Sequence, residues 1–379
     1  MAPASSVLSL PTPAAIADIK IMRSNADKML SRAASLDVTL RPHVKTHKTL
    51  QGALLQTGGR RSTITCSTLA EAEYFQSQGF TDILFAVPVD PSKTLRCAAL
   101  ARTGCDFHVL VDNVAQLHPL IKHGRPLPEL PWSIAVMVDS GYGRDGVEPS
   151  SDEALSLVTL VRSSPELKLR ILYTHGGHSY DVPPGSIPDI QRVAAQERDS
   201  IVALAKRVPG GVEGVITGVG STPTCSHPPA DGLEGISEMH PGNYLLYDVT
   251  QMLIGSCTRE QIAMRVLTRV VGHYPSRNTI QIDCGWTGCS QQGKENGFGE
   301  IEKYGSSASS NLVITNLKQE AGSVTTIDGS PLNFADYPLG TLMAILPWHS
   351  CAASHQHRRI YVTDGGDDIV DTWATVDGW

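Results

Sequence analysis

No two of the eight cysteines (66, 97, 105, 225, 257, 284, 289 and 351) form a C-x-x-C pair. Such scatter in a chain of 379 residues argues against a disulfide framework and for reduced thiols inside a cell. No run of lysine and arginine occurs, and 31 basic against 38 acidic residues give a net charge of -7, which excludes the basic footprint of a nucleic-acid or anionic-membrane partner. No apolar run is long enough to span a bilayer; the stretch from Ile83 to Val89 is strand-sized. The opening MAPASSVLSLPTP lacks the basic and apolar segments of a secretory leader, and the closing VDGW is not a peroxisomal address, so the cytosol is the expected compartment. No predicted strand runs into a G-x-G-x-x-G turn, which speaks against a dinucleotide-binding sheet.

What is present is a globular composition, 41% hydrophobic and 18% charged, in a chain long enough for two domains. The first ~250 residues repeat an apolar segment, a turn of Gly, Pro, Ser or Asp, and a helical stretch. Eight strands are predicted: Thr39–His43, Thr63–Cys66, Ile83–Val87, Phe107–Val111, Ser133–Val138, Leu169–Tyr173, Gly214–Thr217 and Asn243–Leu246. Their β-branched runs suit parallel strands buried on both faces. Ile21, Met22, Ala26, Met29, Leu30, Ala33 and Leu36 fall on one helical stripe, and Thr68-Leu-Ala-Glu71 predicts a capping box opening a helix that stops at Gly79. This pattern predicts an α/β TIM-type (β/α)8 barrel over residues 15–250, with its active site on the loops after the strands. A Rossmann-like sheet is the alternative.

Residues 251–379 change texture, and predict a β-rich second domain joined by residues 1–14. Its strands are Arg265–Val271, Thr279–Cys284, Leu312–Asn316, Ser323–Ile327, Leu342–Leu346, Ile360–Thr363 and Val370–Ala374. Gly285–Ser310, rich in Gly, Ser and Gln, is predicted to be a loop.

Three motifs carry chemistry. In Arg41-Pro-His-Val-Lys-Thr-His-Lys48, Lys45 lies among apolar and histidine neighbours at the end of the first strand. A desolvated lysine beside other cations is a nucleophile able to form a Schiff base; the plain alternative is a solvated loop lysine. Gly218-Val-Gly-Ser-Thr-Pro-Thr224, past the seventh strand, offers backbone N–H groups at Gly220 and the hydroxyls of Ser221 and Thr222 to a phosphate. A second cradle, His240-Pro-Gly-Asn-Tyr244, adds the amides of Gly242 and Asn243. Both turns could equally be ordinary Gly/Ser turns. Together with a strand-one lysine they suit a phosphate-bearing aldehyde cofactor.

The third motif is Trp348-His349-Ser350-Cys351. On a strand, His349 and Cys351 share a face, and imidazole with thiolate is a soft, zinc-preferring pair that leaves a coordination position open. His355 and His357 are rival ligands, and an ordinary packing role is the alternative. Arg144 after the fifth strand, and Tyr173, His175, His178 and Tyr180 after the sixth, are further rim candidates.

Taken together, these motifs resemble the fold-type-III pyridoxal-phosphate enzymes, the alanine racemase-like barrels, and within them the D-threonine aldolase and D-serine dehydratase branch. Thr12-Pro13 and Asp18, Asn25 and Met29, and RPHVKTHK match that branch's opening. The resemblance places the cofactor lysine on Lys45, the strand-five arginine on Arg144, one phosphate loop on Gly220 to Thr224, and the other on Gly242 and Asn243. It implies pyridoxal 5'-phosphate and zinc, a homodimer, and a small D-amino-acid substrate. The metal motif is H-x-D in the aldolases and H-x-C in the eukaryotic-type dehydratases; His349 and Cys351 imply the dehydratase reaction, β-elimination of D-serine to pyruvate and ammonia. Alanine racemases place an arginine of an R-P-G motif against the pyridine nitrogen; His240 stands there in this chain, with Tyr173 competing for the role. A D-threonine aldolase, a racemase and a non-catalytic cofactor-binding barrel are the rival readings.

Overall fold

The β-branched runs form strands whose successive residues face opposite sides. In Asp106–Val111, Phe107, Val109 and Val111 pack outward with Ile83, Phe85, Ile134 and Val136, while Leu110 packs inward with Leu84, Ala135, Met137, Ile171 and Tyr173. A strand apolar on both faces must be covered on both, which a closed barrel ringed by helices or an open sheet with helices on both faces can do. The computed structural model describes residues 5–306 and 310–379. They divide into two compact units, Ala26–Tyr244 with Ile254–Ser256 and Val376–Trp379, and 5–25 with Leu245–Leu253 and Cys257–Thr375.

The first unit holds eight parallel strands, Thr39–Leu40, Thr63–Cys66, Asp82–Phe85, Asp106–Val111, Trp132–Met137, Leu167–Tyr173, Ile216–Val219 and Glu238–Met239. From the second to the eighth, each pairs with the next, and the eighth pairs with the first through Thr39 to Glu238 and Leu40 to Met239. Between first and second a single bridge, His43 to Thr65, and one bond from Thr65 N–H to Pro42 O (2.9 Å) nearly close the ring. The barrel is therefore the architecture, and the open Rossmann-like alternative falls. The helix after the second strand, Leu69–Ser77, opens on the capping box read from Thr68 and Glu71; such a cap contributes about 1 kcal/mol.

One strand is corrected. Asn243–Leu246 is not the eighth strand; Asn243–Leu245 is a 3-10 turn, and the eighth strand is the two-residue Glu238–Met239. The error has a physical cause, because Glu238 points a carboxylate into the barrel, where apolar patterning does not look. Arg41, fully buried, donates from Nε and Nη2 to Glu238 (2.7 and 3.1 Å), and from Nη1 and Nη2 to Asp82 (2.6 and 3.1 Å). His108 adds Nε2 to Asp82 Oδ1 (2.9 Å) and Nδ1 to Ser133 Oγ (2.6 Å). Although burial opposes it, hydrogen bonding from His108 and the charge of Arg41 hold Asp82 well below the usual carboxylate range.

The second unit is a nine-stranded sheet system ordered Leu312–Leu317, Gly322–Thr326, Thr279–Ile282, Met264–Tyr274, Ala14–Asp18, Arg359–Thr363 and Asp371–Ala374. Leu342–Pro347 pairs with Met264–Tyr274 and with Gly299–Lys303. Two of these strands escape the sequence pattern. Ala14–Asp18 is alanine-rich, a weak strand former held by partners on both sides. Gly299–Lys303 lies inside the segment predicted as a loop, which also contains the short helix Trp286–Cys289; residues 307–309 of that segment lie outside the described residues. With Glu300 and Glu302 flanking one apolar Ile301, it is a charged edge strand. Among the described residues no helix is long and apolar enough to cross a membrane.

Replacing Arg41 by Met keeps the side-chain volume but leaves the buried Glu238 carboxylate and the partly buried Asp82 carboxylate without their shared cation. The expected loss is about 3–5 kcal/mol of unfolding free energy. Urea denaturation measures it; a loss below about 1 kcal/mol would show that the cluster is bridged by solvent rather than held by the guanidinium.

Candidate active site

The lysine motif leaves the first barrel strand at Leu40 and tightens into a 3-10 turn, Val44–Thr46, with the His43 ring accepting the Lys45 N–H. His47 is buried, and its hydrogen bonds define its tautomer. Nδ1 accepts from Thr49 N–H (3.0 Å), so Nε2 carries the proton and donates to Gln56 Oε1 (3.0 Å). Gln56 Nε2 then donates to Gly242 O (3.2 Å), tying the lysine turn to the turn after the eighth strand. Gly242 is flush against this motif, since a Cβ there would lie 2.8 Å from His43 O.

The two lysines of the motif have different surroundings. Lys48 Nζ lies 2.9 Å from Glu71 Oε1, and Glu71 also accepts from Ser67 N–H (2.6 Å) as part of the helix cap. Lys45 acts electrostatically on three imidazoles instead. Burial, and then the Lys45 charge, push His43 well below its ordinary value and His175 down to about 3. Burial, with contributions from Arg41 and Lys45, likewise puts His240 at about 3. All three rings are therefore neutral near pH 7.

His240 Nε2 donates to Thr174 O (2.7 Å), and its ring stacks on Tyr173 at 4.0 Å between centroids and 18° between planes. Its Nδ1 is buried without a protein partner. His175 donates from Nδ1 to Gly220 O (3.0 Å).

The strand-seven loop turns into the short helix Thr222–Ser226, capped by Ser221. Two of its expected donors are engaged within the protein: Gly220 N–H bonds Glu197 Oε1 (3.1 Å) and Ser221 N–H bonds Thr224 Oγ1 (2.9 Å). Ser221 Oγ meets Ser179 Oγ (2.9 Å). The Thr222 hydroxyl is buried without a protein partner, as expected of a group awaiting a ligand oxygen. Tyr180 packs against Val182, Ile190, Val193 and Ile254. Arg144 is half-exposed, paired with Asp145 (3.3 Å) and lying over the Tyr142 ring. Thus Lys45, His175, Tyr173 and His240 are brought together at the strand ends, while Arg144 stands at the rim.

His349 and Cys351 are not on a strand, which corrects the reason given for their convergence. The strand Leu342–Pro347 ends before them; His349 is the N-cap of the helix Ser350–Ser354, and Cys351 lies in its first turn. The two still stand on one tight turn, and imidazole with thiol is a donor set suited to zinc. His357 donates Nε2 to Gly288 O (2.8 Å) and so is engaged elsewhere. Among the described residues no group of three or more His, Cys, Asp or Glu forms a metal cluster.

Residues 17–247 match the model of the alanine racemase N-terminal domain, and residues 263–363 match a serine dehydratase domain. The chain belongs to the alanine racemase-like family. Relatives in the family include D-threo-3-hydroxyaspartate dehydratase of Delftia sp. (33% identity over 98% of this chain and 99% of that one) and D-serine dehydratase of Dictyostelium discoideum (31%, 98% and 98%). A solved cysteine-to-alanine variant of D-threo-3-hydroxyaspartate dehydratase, in the metal-free form, superposes with a TM-score of 0.92 at 31% identity, covering 99% of this chain and all of that one. A histidine-to-alanine variant of the same named enzyme is equally similar, and the two replaced residues stand two positions apart, the spacing of His349 and Cys351.

One residue of this family member's site was missed by sequence reasoning. Glu197 is fully buried in the helix Ile187–Arg207, where it holds two loops at once through Oε1: Gly176 N–H (2.5 Å) and Gly220 N–H (3.1 Å). The signal was present, because Ile190, Val193, Ala194, Ile201 and Leu204 form the buried stripe and Glu197 lies on it. A charge on an apolar stripe marks a function or a network.

Glu197 borders a small cavity with Val219, Thr224, Cys225 and Met239. Burial raises this carboxyl to about 7, against the hydrogen bonds that favour its charge. A carboxyl with a raised folded-state pKa binds its proton more tightly in the native protein. The contribution of this carboxyl to stability is then full below about pH 4.5 and is lost as pH rises through about 7, on the order of 3 kcal/mol. Glu197→Gln keeps the accepting oxygen and should abolish that slope. Unfolding free energies of both proteins between pH 5 and 8 test this, and parallel curves would refute it.

Proposed function

We propose that the chain is a pyridoxal-phosphate- and zinc-dependent lyase that eliminates the β-hydroxyl of a small D-amino acid, D-serine foremost, giving pyruvate and ammonia. The observation that carries this reading is the setting of Lys45, whose charge acts on the three buried, neutral imidazoles of His43, His175 and His240 at the strand ends; among the described residues His240 Nδ1, and the Thr222 hydroxyl of the strand-seven loop, are buried without a protein partner. The names of relatives that match the whole chain, dehydratases, favour elimination over racemisation.

Pyridoxal phosphate, when bound, supplies an aldehyde for the covalent link and an electron sink for loss of the Cα proton. Lys45 would provide the amine for that link and the base that takes the proton from Cα. Ser221, Thr222, Gly242 and Asn243 would hold the phosphate, with Gly220 shaping the loop. His240, oriented by Thr174 and stacked on Tyr173, lines the ring, and its Nδ1 can only accept a hydrogen bond. Arg144 and Tyr180 complete the set at the rim. His349 and Cys351 would hold the zinc ion, which would supply a Lewis acid for the β-hydroxyl.

The deciding assay is pyruvate release from D- and L-serine. Release from D-serine alone, with borohydride fixing the cofactor on Lys45 in a peptide map, is the expected result; label on Lys48 would overturn the assignment. The name of the 33% identical relative favours a second substrate, a 3-hydroxy-D-aspartate, which would yield oxaloacetate. The ratio of kcat/KM for the two substrates separates them, and glycine with acetaldehyde from D-threonine would instead indicate an aldolase.

For the metal, chelation should stop elimination while leaving the cofactor's absorbance in place. Cys351→Ala should lose zinc and turnover together, by about 100-fold or more in rate, since hydroxide departure loses its Lewis acid. Cys97→Ala, in the barrel's helical layer, should do neither. Near wild-type turnover by metal-free Cys351→Ala protein would end the zinc mechanism.

A further inference from the structure

Two contacts within the strand-rich unit bear on how its metal motif is held, and neither contact follows from the motif itself. His349 Nδ1 lies 2.5 Å from Gln292 Oε1. An amide oxygen only accepts, so the proton of a neutral His349 resides on Nδ1 and the lone pair on Nε2. That is the tautomer a ligand needs when it binds through Nε2. Histidine ligands to metals almost always donate their second N–H to such an acceptor, which fixes the ring plane and raises the donor strength of the other nitrogen.

Gln292 is itself placed by its neighbours. Gly293 has φ +76°, and a Cβ there would lie 2.2 Å from the Trp348 ring, so the chain runs flush against the residue preceding His349. Phe298 N–H bonds Gly293 O (2.8 Å), and Trp348 N–H bonds Phe298 O (3.0 Å), joining this loop to the end of the strand Leu342–Pro347. On the other side of the motif, buried Asp248 accepts from Ser350 N–H (2.8 Å) and Ser350 Oγ (3.3 Å), and from Gln251 N–H (2.9 Å). The residue between the two donors is thereby anchored to a carboxylate.

We propose that Gln292 is a positioning residue of a divalent-cation site: it fixes the His349 tautomer so that Nε2 faces the metal, while Asp248 fixes the turn that presents Cys351. The proposal rests on the zinc reading above. A loop glutamine that merely packs against a histidine is the competing account, and the two differ in what a carboxylate at 292 should do. Glutamate accepts the same N–H and adds negative charge behind the imidazole, which strengthens a ligand; alanine removes the acceptor.

The test measures zinc affinity of the full-length protein by competition with a chromogenic chelator near pH 7, for the unaltered chain, Gln292→Ala and Gln292→Glu. Gln292→Ala should bind zinc about 10- to 100-fold more weakly, and Gln292→Glu at least as tightly as the unaltered chain, with all three sharing one thermal unfolding midpoint. Unchanged affinity in Gln292→Ala, or equal weakening in both variants, overturns the proposal. A second readout does not depend on metal: ring-nitrogen NMR shifts of His349 in zinc-free protein should report the Nδ1–H tautomer, and a mixture of tautomers in Gln292→Ala. If the unaltered chain takes up no zinc, the metal reading fails and the cation-site proposal with it, whereas a persistent tautomer in Gln292→Ala refutes the role of Gln292 alone.

Discussion

The seam of the barrel rests on one buried guanidinium. The first and eighth strands are two residues each, too short for their ladder of hydrogen bonds to hold a register alone. Arg41 bridges the carboxylate of the eighth strand and that of the third, so three strands are referred to one side chain. Burying a charge is costly unless it is paired and hydrogen-bonded, and here two carboxylates meet the guanidinium with four short contacts. The lysine turn begins immediately after this anchor, so Lys45 departs from a fixed point.

From that anchor the site is assembled by neutral polar contacts rather than by charge. His47, Gln56 and Gly242 O form a relay between the lysine turn and the turn after the last strand. His43, His175 and His240 are kept neutral because burial already disfavours their protonated forms and the nearby cations add to it. Neutral imidazoles can line an amine without repelling it, and each has its Nδ1 or Nε2 directed by a backbone or hydroxyl group. Lys48 and Glu71 carry the charge-pair role in the same motif, and the helix cap depends on that carboxylate too.

Much of this was legible residue by residue. The capping box of Thr68 and Glu71, the alternating strands and the eight-fold repeat follow from local rules, because each depends on spacing within a few residues. Glu238 and Glu197 were not read correctly because each is a charged residue on a buried face, with partners 21 and 23 residues away in the chain for Glu197 and 197 away for Glu238. Ala14–Asp18 and Gly299–Lys303 were missed for the complementary reason: their own strand propensity is weak, and their pairing with the strands Met264–Tyr274 and Leu342–Pro347 decides their conformation.

The sequence by itself determined the barrel, the strand-rich second region, the lysine at the first strand's exit, the glycine- and hydroxyl-bearing loops, and the spacing of His349 and Cys351. These are properties of period and composition, and period survives without knowledge of neighbours. Only the tertiary structure decided that Lys48 meets the Glu71 carboxylate, that the Gly220 and Ser221 amides are engaged within the protein, which nitrogen of His349 bears its proton, and that the His-x-Cys pair sits on a helix start rather than a strand. Each of those is set by a partner distant in sequence, and hydrogen-bond direction and burial exist only once the chain has brought the partners together.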